Sequence, residues 1–160
     1  MKNNRKLKVF LDSNVFISGL YSEKGAPGLI INNYILGRIY VSISQKVLSE
    51  VINVLKKKLP SILNLLQNFL LAYPPEIIKD PPAEAVKKWH DIIIENDAAI
   101  LESAICCNPD YFITGDKHFF ESPIIAEKSG LKIIKPQEFL KAFNATLLGL
   151  NMTTVCHIDR

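Results

Sequence analysis

Short apolar runs rich in β-branched and aromatic residues alternate along this chain with longer stretches of helical periodicity, and that alternation most constrains the fold. Leu7 to Leu11 reads as a first buried strand, and Val15 to Tyr21 as a short helix leaving its carboxyl end. Gly25, Pro27 and Gly28 open a second helix that ends near Gly37, before a second strand from Ile39 to Ser42. SQKVLSEVINVLKKKL then sets Val47, Leu48, Val51, Val54 and Leu55 on one stripe, with Lys56, Lys57 and Lys58 in the last turn, where they suit the helix dipole. Another amphipathic helix, Pro60 to Ala72, is stopped by Pro74 and Pro75. Glu76 to Lys79 is a short third strand, and Pro81 and Pro82 lead into a helical turn that includes Trp89. A helix from Asp97 to Cys106, strands at Tyr111 to Thr114 and Leu131 to Ile134, and a closing helix from Pro136 to Phe143 complete the pattern. Strands and helices in this order predict an α/β fold with a parallel sheet of about five strands covered on both faces.

The 160 residues are 48% hydrophobic, enough for one sizeable core, and residues 1–143 are expected to form a single domain with 144–160 as a loosely attached tail. A formal charge of +3 does not by itself mark a nucleic-acid binder. The basic residues are unevenly spread: Lys2, Arg5, Lys6 and Lys8 crowd the start, and Lys56 to Lys58 form a second cluster. Cys106, Cys107 and Cys156 are odd in number and without a CxxC pair, which suits neither a disulfide framework nor a zinc site and points to a reducing interior. The basic start lacks a signal-peptide core, and Ile62 to Ala72 is interrupted by Asn64, Gln67 and Asn68, short of the about 20 apolar residues of a membrane span. A soluble cytoplasmic protein with no membrane partner is expected, so the glycosylation patterns at Asn144 and Asn151 are accidental.

Ligands of open parallel sheets bind beyond the carboxyl ends of the strands. Asp12 ends the first strand, and Asp116 follows the fourth through Thr114 and Gly115. The ordinary role of such an Asp is to cap a helix or brace a turn, and Asp110 reads as a turn residue. Asp97, at about 100° per residue, shares a face with Leu101, Ala104 and Ile105, so a carboxylate heads an apolar stripe unless it or Asn96 caps the helix. Glu50 borders its own stripe beside Val47 and Val54. These four acids are too distant in sequence for a local calcium loop. Two like charges 4 Å apart repel by about 4 kcal/mol at an effective dielectric of about 20, so convergence of the four requires a cation. An all-oxygen carboxylate set suits Mg²⁺ or Mn²⁺.

LDSNVFISGL, LSEVINVL, NDAAILESAI and PDYFITGDKHFF, in that order, resemble the successive motifs of the PIN-domain ribonucleases, particularly the bacterial and archaeal toxins of toxin–antitoxin pairs. The similarity runs from about Lys6 to Leu140. It implies a three-layer α/β/α fold, metal-dependent cleavage of RNA to 5′-phosphate and 3′-hydroxyl ends, and a catalytic metal set of Asp12, Glu50, Asp97 and Asp116. Asn14 and Thr114 match polar positions near the family's site; with Ser13 they would orient carboxylates and waters. Glu76 and Glu84 are rivals for Glu50, and Glu102 is a second acid near Asp97. Lys117 and His118 are candidates to touch RNA phosphate, with a solvated lysine and a packing histidine as the ordinary alternatives. One or two Mg²⁺ or Mn²⁺ ions would activate a water for in-line attack on phosphorus. A small antitoxin protein and a homodimer are the partners in view beside RNA. Two other readings stay open: an aspartate-nucleophile phosphohydrolase acting through Asp12, although such enzymes usually carry an Asp where Asn14 stands, and a non-catalytic RNA- or protein-binding module.

Overall fold

The computed structural model describes residues 5–149. Five parallel strands, β1 (Lys8–Leu11), β2 (Tyr40–Ser44), β3 (Glu76–Ile78), β4 (Tyr111–Ile113) and β5 (Ile133–Ile134), lie in the order β3-β2-β1-β4-β5. Successive residues of a strand face opposite sides of the sheet, and Val9, Phe10 and Leu11 of β1 are all fully buried, so both faces are covered. Helices α1 (Ser13–Tyr21), α2 (Ala26–Ile35), α3 (Gln45–Lys58), α4 (Leu63–Ala72), α5 (Ala83–Lys87), α6 (Glu95–Cys107), α7 (Pro123–Ser129) and α8 (Pro136–Leu147) supply that cover.

The expected elements are present, with informative differences. Pro60 begins a separate turn of 3-10 helix, Pro60–Ile62, before α4. The seven-residue α7, which periodicity does not reveal, is bracketed by Ser122-Pro123 at its start and by Gly130 in the left-handed conformation at its end. Helix α8 runs four residues past the expected Phe143, with Ala145 buried, and Asn144 lies within it. Lys2, Asn151, Cys156 and all of the expected tail beyond Gly149 lie outside the described residues. Among those described, Cys106 and Cys107 are free thiols, and no helix is long and apolar enough to cross a membrane.

Aromatic packing ties β1, β4 and the turn after β4 together. Phe10 of β1 meets Phe112 of β4 edge to face at 5.5 Å, and Phe112 meets Phe119 at 5.1 Å, pairs worth about 1 kcal/mol each beyond their burial. Phe119 belongs to a 3-10 turn, Lys117–Phe119, that directly follows Asp116, so the core anchors the loop carrying that acid.

Glu102, the acid that follows Asp97 on α6, turns away from the site into a structural contact. It is buried, accepts a hydrogen bond from Trp89 Nε1 at 2.7 Å, and pairs with Lys88 Nζ at 2.6 Å. Five residues beyond Asp97 on a helix, it points about 140° away. Glu102→Gln keeps an acceptor for the indole and loses a pair whose lysine is half exposed; the expected cost, by urea denaturation, is about 1 kcal/mol, with divalent-ion affinity unchanged.

Candidate active site

The strand order reverses between β1 and β4, and the crevice beyond the carboxyl ends of those two strands is where open α/β sheets bind ligands. Asp12 and Asp116 emerge there from β1 and β4. Glu50 joins them from the second turn of α3, which starts directly after β2 and is capped by Ser44 Oγ accepting from Val47 N–H. Asp97 arrives from the first turn of α6. The four carboxylates lie close enough to act on one another's ionisation: Asp12 feels Glu50 and Asp116, and Asp97 feels Asp116 and Glu50.

The capping roles prove real for two of the four. Asp12 caps α1, its Oδ1 accepting from Ser13 N–H at 2.8 Å, and Asp116 caps its 3-10 turn, its Oδ1 accepting from His118 N–H at 3.0 Å. Asp97 does not cap α6, and neither does Asn96; the cap position is Ile94, without a side-chain bond. Asn96 Nδ2 instead donates to Glu50 Oε1 at 3.3 Å, while Ser13 Oγ donates to Glu50 Oε2 at 2.8 Å. Glu50 is thus braced from the starts of both α6 and α1. Its rivals are elsewhere: Glu76 starts β3 at the opposite edge and pairs with Lys8, and Glu84 is exposed on α5.

Thr114 is the link between the two strand-end acids. Its buried hydroxyl donates to Asp12 Oδ2 at 2.7 Å and accepts from Asp116 N–H at 3.0 Å. Asn14 spans the same gap, its Oδ1 accepting from Gly115 N–H at 3.1 Å and its Nδ2 lying 3.5 Å from Asp12 Oδ2. Thr114→Val keeps the shape and removes both bonds. The expected result, by calorimetric titration with Mn²⁺, is an affinity about 10- to 100-fold weaker with a folded protein.

Burial is the first cause of an Asp12 pKa raised to about 6, against the bonds from Thr114 and Ser13 that favour the carboxylate; Glu50 and Asp116 push it further up. Asp97 is raised as well, by burial and then by Asp116. Its Oδ2 is buried with no hydrogen-bond partner, a costly state for a carboxylate oxygen. Among the described residues, only His118 brings a side-chain nitrogen of a basic residue within 4 Å of any of the four acids, and no lysine or arginine does. An unpartnered buried oxygen among converging carboxylates fits a hard divalent cation.

Residue-type reasoning undervalued His118. It is neither packed nor simply solvated: its Nδ1 lies 3.3 Å from Asp116 Oδ1 and 3.7 Å from Asp97 Oδ2. The described members of the terminal basic cluster are remote from the acids, since Arg5 pairs with Asp110, Lys6 lies over Tyr40 and Lys8 pairs with Glu76, all at the amino ends of strands. Lys56 to Lys58 sit about 9–12 Å beyond Glu50 along α3. Lys117 and Lys135 are the exposed lysines that follow β4 and β5 at the acid edge.

Solved structures share this fold. VapBC2 from Rickettsia felis, bound to a DNA fragment from their promoter, superposes with a TM-score of 0.59 at 20% identity, over 81% of this chain and 98% of that one. PAE2754 from Pyrobaculum aerophilum gives 0.59 at 18% identity, over 87% and 90%. FitAcB from Neisseria gonorrhoeae gives 0.55 at 18% identity, over 81% and 98%. No curated protein matches significantly by sequence. The model of the PIN domain matches residues 8–118, a span that begins with β1 and ends just beyond Asp116, and on that match the chain belongs to the PIN domain family.

Proposed function

We propose that this protein is a metal-dependent endoribonuclease in which Asp12, Glu50, Asp97 and Asp116 hold Mg²⁺ or Mn²⁺. The observation that carries the reading is that four carboxylates from four elements gather at one sheet edge closely enough to perturb one another, with Asp97 Oδ2 buried and unpartnered and no lysine or arginine paired to any of them among the described residues. A divalent ion, when bound, supplies charge neutralisation at phosphate and a nucleophilic water at neutral pH. The chain supplies geometry: Thr114 and Asn14 hold the two strand-end loops together, Ser13 and Asn96 fix both oxygens of Glu50, and the exposed Lys117 and Lys135 beyond β4 and β5 would meet phosphates of a strand crossing the sheet edge.

The nucleophile reading of Asp12 fits poorly, because Asn14 stands where such enzymes usually carry a second Asp. The motif resemblance to toxin members of the family, and the fold shared with VapBC2 and FitAcB, support a toxin that works with a small antitoxin protein, and a cytoplasmic setting and a homodimer are part of the same proposal. Incubation of the purified protein with single-stranded and structured RNAs tests the enzymatic reading. Cleavage is expected with Mn²⁺ or Mg²⁺, leaving 5′-phosphate ends, and none with chelator or with Asp116→Asn; intact RNA in every arm, or cleavage that survives chelation, contradicts it. Tight RNA binding without metal and without cleavage would favour the non-catalytic module instead.

A further inference from the structure

The four acids leave one neighbour unexplained. His118 stands two residues after Asp116 on a turn that Asp116 itself caps and Phe119 anchors in the core, so its position is set by the fold although the imidazole is half exposed. One ligand-capable atom from each of Asp97, Asp116 and His118 lies within 4.8 Å of the other two, a spacing that a single cation can bridge. The same imidazole and Asp97 line an open cavity of about 400 Å³ with His90, Asp91 and Glu121, which leaves room for water and phosphate. Asp97 Oδ2, 3.7 Å from His118 Nδ1, is the buried oxygen without a hydrogen-bond partner, so the imidazole faces it without satisfying it.

On the metal reading above, the geometry points to His118 Nδ1 as a nitrogen ligand beside Asp97 and Asp116, biasing the centre toward first-row transition ions such as Mn²⁺ over Mg²⁺. An imidazole nitrogen suits transition ions, whereas Mg²⁺ prefers oxygen ligands and keeps its waters. The competing role is a countercharge, in which a protonated His118 merely relieves the repulsion between the two acids. The two roles predict opposite effects of removing the ring. Loss of a ligand weakens Mn²⁺ binding and spares Mg²⁺; loss of a countercharge leaves both unchanged or tightens both.

Full-length protein labelled with ¹⁵N-histidine and loaded with Mn²⁺ should show a directly coordinated nitrogen by electron–nuclear double resonance. His118→Ala should lose that coupling and bind Mn²⁺ about tenfold or more weakly by calorimetry, with Mg²⁺ affinity little changed. Mn²⁺ bound by the wild-type protein without nitrogen coupling, or equal Mn²⁺ affinity in His118→Ala, overturns the role of His118 alone. Failure of the wild-type protein to bind Mn²⁺ at all removes the metal reading on which it rests.

Discussion

Asp12→Asn should lower metal-dependent RNA cleavage by about 10³-fold or more while leaving the protein folded and no less stable, as read by initial rates and urea denaturation. The two halves of that result have separate causes. Asn keeps one oxygen, which caps α1 through Ser13 N–H, while its Nδ2 takes the place of Oδ2 and donates to the Thr114 hydroxyl, so that bond is kept with its direction reversed. The change removes a buried charge with two acids acting on it, and with it one ligand of the proposed cation site. A merely structural Asp12 predicts the reverse pattern, with loss of stability and a proportionate, partial loss of activity.

The second large effect concerns pH. Most native carboxylates make a protein less stable as it is acidified; Asp12 does the opposite, because burial raises its pKa from 3.8 to about 6. Between those values the folded state binds a proton that the unfolded state releases. The destabilising cost is therefore fully present above about pH 6 and is relieved as pH falls toward about 4, an amount of roughly 3 kcal/mol for this shift. Asp97, raised in the same direction, adds to it. In chelator, the stability of the wild-type protein minus that of Asp12→Asn should rise on acidification across this window. Saturating Mg²⁺ or Mn²⁺ binds the carboxylate form and should largely cancel that rise, adding about 2.7 kcal/mol at neutral pH when the ion is at 100 times its dissociation constant. A difference curve that stays flat with and without metal contradicts the coupling of these acids to a cation.

Much of the fold was legible because parallel strands buried on both faces are continuous apolar runs, as at Val9 to Leu11, and their carboxyl ends are marked by polar residues, as at Asp12 and Thr114. Element ends were less legible. Helix α7 is too short for a 3.6-residue period to emerge, and α8 continues through Asn144-Ala-Thr to Leu147, where Gly149 takes a positive φ of 73° just beyond it. The acids were legible as types and spacings; their neighbours were not. Glu102 lies about 140° from Asp97 on the helical wheel, a signal that separates it from the site without any coordinates. His118 carried no such signal, because its direction depends on a three-residue turn whose start is Asp116 and whose anchor is Phe119. Likewise Asn96, read only as a rival cap, reaches across to Glu50 because α6 begins two residues earlier than Asp97.

Asp12, Glu50, Asp97 and Asp116 are proposed to hold a divalent cation together at the switch between β1 and β4. A crystal of the protein soaked in Mn²⁺ and measured at the manganese edge tests it most directly. The account predicts an anomalous peak within about 2–2.5 Å of carboxylate oxygens from this group, lost when Asp12→Asn crystals are soaked in the same way. A well-diffracting soaked crystal with no peak among these four acids, or with the same peak in Asp12→Asn, would contradict it.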